Sequence, residues 1–114
     1  SDVVEMVDFF FVDELEYGSD LLIWKKMTAD EVKTNLDSLV KIIGAVSDES
    51  WSSNILEEVI GNYIKTHGFN VGSILWPFRV SLTGRKASPG VFEVAAILGK
   101  EETIKRVHNA VKKL

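Results

Sequence analysis

The chain contains no cysteine, and this absence excludes several kinds of chemistry at once. Disulfide cross-links, thiolate metal sites and cysteine nucleophiles all require that residue. Proline is also scarce, with two residues, and no run of proline, glycine or serine divides the 114 positions. No apolar run approaches the roughly 18 residues of a membrane-spanning helix. We therefore expect one globular domain, folded without cross-links and with no membrane partner.

Candidates for catalysis or metal binding are equally few. His67 and His108 lie far apart and match no metal-ligand spacing such as HExxH. Gly99-Lys100 is similar to the end of a phosphate-binding loop, but Val94 stands where a glycine is needed and Glu101 replaces the Ser or Thr that holds magnesium. No nucleophile is paired with a base. We expect no catalytic residue, metal or cofactor in these residues.

Positive charge is in short supply overall but concentrated in one part of the chain. The formal net charge is −4, and residues 1–75 hold 5 basic against 14 acidic residues. Residues 76–114 hold 8 basic against 3 acidic residues, including all three arginines. A basic region attracts phosphates locally, because salt limits charge effects to about 10 Å. The same residues could instead balance the dipole of the last helix, and charge alone leaves both interpretations open.

Apolar residues recur at helical spacing along most of the chain. The spacing predicts a helix over 28–46, which Thr28 and Glu31 open with a capping box, and a second helix over 51–66. A third helix over 71–83 contains Pro77, which should kink or restart it. Two more follow, separated at Gly99.

The turn between the third and fourth helices has clear boundary residues. Gly84 is the expected helix stop, and residues 85–89 form a loop in which Ser88 can cap the next helix and Pro89 can open it. Residues 1–27 predict short helices around Phe9–Phe11, with a strand at 9–12 as an open alternative. The predicted fold class is all-α, a compact bundle of about six to seven helices.

Residues 76–93 carry the clearest functional pattern. The planar guanidinium of Arg79 suits the acceptor edges of a nucleic-acid base. Ser88-Pro89-Gly90 offers backbone N–H groups and a small surface for an unstacked base, while Arg85 and Lys86 can meet phosphates. The residues alone also fit a helix–loop–helix corner with surface arginines.

The order of residues in this stretch resembles a known family. The string reads Pro77-x-Arg79-Val80-x-Leu82-Thr83-Gly84-Arg85-x-x-Ser88-Pro89-Gly90-x-Phe92-Glu93-Val94, followed by Leu98-Gly99-Lys100-Glu101-Glu102-Thr103. It closely resembles the C-terminal end of bacterial-type glutamyl-tRNA synthetases. Phe9-Phe10-Phe11-Val12-Asp13 resembles the segment that opens the anticodon-binding region of that family, so the resemblance covers essentially the whole chain.

This resemblance implies a single anticodon-binding domain fragment over residues 1–114. Residues 1–27 would be its opening segment, 28–70 two long helices, and 71–114 the helices and loop that face the anticodon. The parent would be a class I synthetase that joins glutamate to tRNA(Glu) with ATP. Its catalytic domain, marked by the HIGH and KMSKS signatures, is absent from these residues.

The resemblance also implies roles for individual residues. Residues matching Arg79, Ser88, Pro89 and Val91 approach the second and third anticodon bases, with Gly90 in the same loop. Ser88 stands where some members have threonine, so the hydroxyl is kept and a methyl contact is lost. Arg85 and Lys86 are the expected phosphate contacts. No arginine precedes Arg79, so we expect the reader of the first anticodon base to lie outside this chain.

The implied setting is a cytoplasmic monomer that binds tRNA(Glu) beside the catalytic and connecting domains of its own parent chain. ATP and magnesium would bind in that catalytic domain. Two alternatives remain open. One is a helical protein-interaction domain, which a large exposed apolar patch on residues 1–27 would favour. The other is a relative with relaxed choice between tRNA(Glu) and tRNA(Gln).

Overall fold

The computed structural model describes residues 8–12 and 15–114, with the backbone alone at 8 and 11. Predictions on Val3–Val7, on Asp13 and on the Phe11 side chain lie outside the described residues. The described part contains no strand and five α-helices: α1 Ala29–Gly44, α2 Ser53–His67, α3 Val71–Thr83, α4 Val91–Leu98 and α5 Lys100–Lys113. The all-helical prediction is confirmed.

The number of α-helices is slightly lower than the predicted six to seven. Three further segments of the described chain are short 3₁₀ helices: η1 Asp8–Phe11, η2 Ser19–Leu22 and η3 Asp48–Ser50. Segments of three or four residues cannot repay the cost of nucleating an α-helix. For the same part of the chain, the alternative of a strand at 9–12 is wrong, since η1 occupies Asp8–Phe11 and Val12 lies in no regular element.

The capping box predicted at the start of α1 is present. The backbone N–H of Glu31 donates to Oγ1 of Thr28 at 3.2 Å, and the N–H of Thr28 donates to Oε1 of Glu31 at 3.0 Å. Each bond satisfies a backbone group that the first turn of a helix leaves without a partner. The start of α1 is therefore fixed by local sequence.

Helix α3 is the central element of the fold, in contact with α1, α4, α5, η1 and η2. Pro77 lies inside this helix and does not divide it. A proline has no N–H, so the carbonyl four residues earlier, at Ser73, loses its helical donor. Asn35 of α1 replaces that donor, because its Nδ2 donates to the Ser73 carbonyl at 3.3 Å.

The apolar faces of all five helices meet in one core, which the described part of the opening segment joins. Phe9 and Leu22 are buried in it. Trp76 of α3 donates from Nε1 to the carbonyl of Leu21 at 3.0 Å, which ties this segment to the central helix. Among the described residues of 1–27, Val12 is the single large hydrophobic residue that is strongly exposed, at 40%. No helix in the described ranges is long and apolar enough to cross a membrane.

Candidate nucleic-acid interface

Arg79 occupies an unusual position on the central helix. In the stretch 77–83 every residue is buried except Arg79, which is partly exposed. A helix that is buried nearly all round leaves little room for a charged side chain, because ions lose hydration on burial. Arg79 therefore marks the opening through which this part of α3 reaches solvent, and its guanidinium hydrogen-bonds to no other described residue.

Thr83 links the backbone at Arg79 to the start of the basic loop. The buried Thr83 hydroxyl donates to the carbonyl of Arg79 at 2.9 Å, and the N–H of Arg85 donates to the same hydroxyl oxygen at 3.1 Å. Sequence reasoning did not identify Thr83 as a positioning residue. A threonine placed just before the glycine that ends a helix is the pattern that could have found it.

Gly84 ends α3 in the left-handed conformation, with φ at 69°. Its N–H donates to the carbonyl of Val80 at 2.7 Å. A Cβ at this position would lie 3.3 Å from Cδ1 of Tyr17 and 3.7 Å from Cβ of Leu15. The predicted helix stop is confirmed, and the close approach adds a tertiary reason for glycine that the sequence did not indicate.

The loop residues Ser88, Pro89 and Gly90 do not form the predicted helix start. The Ser88 hydroxyl donates to the carbonyl of Pro89 at 2.8 Å, and α4 begins at Val91 with Gly90 as its N-cap. The prediction that Ser88 caps the helix and Pro89 opens it is wrong. Gly90 has ψ near 131°, so the backbone is still extended there. The helix therefore begins at Val91, two residues after the predicted start at Pro89.

The N-terminus of α4 lies at the exposed end of this loop. Pro89 and Gly90 are exposed, and no side-chain hydrogen bond caps the helix. The Glu93 carboxylate folds back over Gly90, so that a Cβ there would overlap its Oε2. Free N–H groups beside a carboxylate provide donors and an acceptor together, an arrangement that matches the edge of a base better than a phosphate.

Other predicted contacts are placed differently. Val91 is 3% exposed and its side chain belongs to the core, so it offers no exposed side chain to a ligand. Lys86 is exposed and Arg85 partly exposed, as phosphate contacts require. The seven-residue loop between α3 and α4 thus brings Arg85, Lys86 and Ser88-Pro89-Gly90 onto one connection beside the end of the helix that carries Arg79.

Arg106 is a buried basic residue, and the sequence did not indicate its burial or its hydrogen-bond partners. It is 4% exposed, and its guanidinium donates to the carbonyls of Leu82 at 2.6 Å and Val12 at 3.0 Å. A third bond reaches the Glu102 carboxylate at 3.4 Å. It therefore joins α5 to the end of α3 and to the opening segment rather than adding to an exposed basic face.

The large aromatic residues of the first two-thirds of the chain serve mainly as scaffold. Phe9 is buried, and Trp51 packs on the core while its Nε1 donates to the carbonyl of Ala95 at 2.9 Å. The ring of Trp24 lies against Gly72. His67 lies in the last turn of α2 with Nδ1 3.0 Å from the carbonyl of Tyr63. In the part of the chain that the structure describes, no three His, Cys, Asp or Glu side chains form a group that could hold a metal.

Comparison with known proteins gives one consistent family. A family profile described as an anticodon binding domain matches residues 1–111. Glutamate–tRNA ligases from Clostridium acetobutylicum and Clostridium tetani are 40% and 42% identical over 117 residues, which include all of this chain and 24% and 23% of theirs. The chain thus spans about a quarter of the length of the curated relatives that it matches.

Comparison with solved structures finds the same class of protein as the sequence comparison. The chain resembles a crystal structure of a glutamate tRNA ligase from Elizabethkingia meningosepticum with a TM-score of 0.80 and 25% identity. The match covers 97% of this chain and 21% of that one. The family profile, the similar sequences and the shared all-helical fold lead to one conclusion: the chain belongs to the anticodon-binding domain family.

Proposed function

We propose that this chain is the anticodon-binding domain of a glutamate–tRNA ligase and that it selects tRNA(Glu) by its anticodon. The observation that carries this proposal is the position of Arg79, the one partly exposed residue in the buried stretch 77–83, beside the exposed loop that leads to an uncapped helix N-terminus. Unpaired anticodon bases are splayed, so side-chain and backbone donors can reach their edges.

In this proposal the residues divide into base readers and phosphate contacts. Arg79 donates to the acceptor edge of one base, and the Ser88 hydroxyl and the backbone at Pro89, Gly90 and Val91 contact its neighbour. The Glu93 carboxylate beside Gly90 disfavours a phosphate at that point and can accept from a base amino group. Arg85 and Lys86 hold the backbone phosphates that flank the anticodon.

The chemistry of the parent enzyme belongs elsewhere in its chain. We infer that glutamate, ATP and magnesium bind in a separate catalytic domain, joined to this one through connecting domains of the same polypeptide, and that the parent acts as a cytoplasmic monomer. Correct anticodon contacts would orient the distant acceptor end of the tRNA. Strict or relaxed choice between tRNA(Glu) and tRNA(Gln), whose anticodons differ at the third base, would depend on the residues that read that base.

The test is a titration of the chain with two anticodon stem-loops, one with a glutamate anticodon and one with its last two bases changed. Arg79→Ala should lose about 1–3 kcal/mol of discrimination between them, the usual scale of a good base contact. Arg79→Lys should keep general affinity but lose selectivity, because an ammonium cannot reproduce the planar fork.

Two lysine variants serve as controls for this experiment. Lys86→Ala should weaken both stem-loops alike and flatten the salt dependence, as loss of a phosphate contact does. Lys65→Ala removes an exposed charge from the last turn of α2, and it should change neither the affinity for the two stem-loops nor the salt dependence. Equal binding of both stem-loops by the unmodified chain, or discrimination that survives in Arg79→Ala, would contradict the proposed reading of the anticodon.

The structure gives less support to the protein-interaction alternative. A large exposed apolar patch on residues 1–27 would favour that reading, whereas the described apolar residues there, Val12 and the partly buried Trp24 apart, are buried or packed against the core. We keep it as the interpretation to which a failed titration would lead.

A further inference from the structure

A second cationic feature lies where the opening segment meets α3 and α5. It includes none of the residues assigned to base reading. A cavity of about 170 Å³ opens between the opening segment and the last turns of α5. This is room for a group larger than a single water molecule. The polar and charged residues that line the cavity are Tyr17, Ser81, Arg106, Asn109, Lys112 and Lys113.

The lining of this cavity is rich in donors and positive charge. Arg106, Lys112 and Lys113 carry three cations, and none of the described residues that line it is a carboxylate. Among the described residues, the Glu102 carboxylate forms an ion pair with Nε of Arg106. Three of the five guanidinium N–H groups of Arg106 are used within the described residues, which leaves two donors. Asn109 adds an amide donor.

Lys113 is exposed, and its ammonium group lies over an aromatic ring at the edge of this cavity. Its Nζ lies 4.8 Å from the centre of the Tyr17 ring, a cation–π geometry. A lysine that served only the dipole of α5 would need no such partner. Tyr17 also brings a phenolic hydroxyl, which is protonated at neutral pH and is a hydrogen-bond donor.

The cavity adjoins the basic loop. Tyr17 contacts Gly84, the residue directly before Arg85 and Lys86. Tyr17 therefore lines the cavity and also neighbours the residue that precedes the basic loop. A cationic cavity in this position suits a phosphate of an RNA chain and equally a single free anion.

We propose that the cavity between Tyr17 and the last turns of α5 binds a phosphate group. The cavity offers more charged and neutral donors than the two oxygens of a carboxylate can accept from. The larger number of oxygens on a phosphate matches this set of donors better. The group would come either from the RNA backbone, a source that rests on the proposed function, or from a free phosphate compound, which does not depend on it.

The first arm of the test uses inorganic phosphate with the 114-residue chain at constant ionic strength. We expect saturable NMR shifts at the Asn109 side-chain amide and at the backbone N–H of Lys113. These shifts should be lost in the double variant Lys112→Gln, Lys113→Gln and retained in Lys33→Gln, Lys41→Gln, which removes two exposed lysines from α1. Shifts that do not saturate, or that are the same in both double variants, would overturn the proposal.

The second arm identifies the source of the phosphate with the glutamate anticodon stem-loop. If the RNA backbone occupies the cavity, the Lys112→Gln, Lys113→Gln variant should lower the slope of log affinity against log salt by about one or more. An unchanged slope with saturable phosphate binding assigns the cavity to a free phosphate compound. Saturable phosphate binding in a chain that does not discriminate between stem-loops would reject the proposed function and leave the cavity proposal standing.

Discussion

At the scale of single residues, Gly84 shows how one backbone angle serves both fold and site. Its φ of 69° is strained for any residue with a side chain, and its approach to Tyr17 leaves little space for a Cβ. We expect Gly84→Ala to lower the free energy of unfolding by about 1–2 kcal/mol. Urea denaturation followed by circular dichroism measures this.

Gly61 provides the matched control for Gly84. It lies in the middle of α2, and a Cβ there would meet nothing within 4 Å. Gly61→Ala should therefore stabilise the chain by up to about 1 kcal/mol, because alanine is the better helix former and loses less entropy on folding. If both variants change stability in the same direction, backbone conformation is not what glycine provides at position 84.

Tyr17 predicts a pH dependence of stability at the same scale. Burial raises its pKa from 10.0 to about 12, so the folded chain holds the phenol proton more tightly than the unfolded chain. The stabilisation is fully present below about pH 10 and is lost as the pH rises from there towards about 12.

The measurement compares denaturant unfolding at about pH 9 and about pH 11 in the unmodified chain and in Tyr17→Phe. The loss of stability between these values should be smaller in the variant. As an independent check, Tyr63→Phe leaves Tyr17 as the sole tyrosine, and its ultraviolet absorbance should titrate near 12. A midpoint near 10 would contradict the burial of the phenol.

At the scale of elements, the bond from Asn35 to the Ser73 carbonyl supports α3 at Pro77, where the sequence predicted a kink or a restart and where the helix does not restart. The Asn35 amide fills the hydrogen bond that proline removes at Ser73. We expect Asn35→Ala to cost about 1 kcal/mol by leaving this carbonyl without its partner. In a Pro77→Ala background, residue 77 regains an N–H, so the same change should cost much less.

This double-mutant cycle isolates the interaction from the effect of each single change. Thr34→Ala, a neighbouring exposed position on α1, controls for helix propensity and should change stability by less than about 0.5 kcal/mol. Additive costs of Asn35→Ala and Pro77→Ala would mean that Asn35 stabilises α1 rather than the gap in α3.

Helix boundaries also show where local sequence is sufficient. Thr28 and Glu31 are neighbours on one turn, so their capping box could be predicted directly. Ser88 fulfils the same local rule, yet it bonds to Pro89 and the helix begins at Val91. Because the side chain of Val91 packs in the core, the start of α4 is set by packing rather than by the preferred cap.

At the scale of the whole molecule, Arg106 connects parts that are distant in sequence. It joins α5 to the carbonyl of Leu82 in α3 and to that of Val12 in the opening segment. We expect Arg106→Met to lower the free energy of unfolding by about 2–3 kcal/mol, because both carbonyls lose their donor in a buried site. Lys105→Met, at the exposed neighbouring position, should change it by less than about 0.5 kcal/mol. Equal effects in thermal unfolding would show that Arg106 adds nothing beyond its charge.

The helical class, most helix boundaries and the residues of the basic loop could be predicted from the amino-acid sequence alone, because periodicity, caps and glycine stops act over three or four neighbouring positions. Which cations face solvent depends on tertiary packing. Arg79 and Lys86 reach the surface, whereas Arg106 is buried against carbonyls 24 and 94 positions away. The sequence position of a basic residue does not show which groups will surround its side chain. Its role depends on the distant backbone carbonyls that packing brings within hydrogen-bond distance.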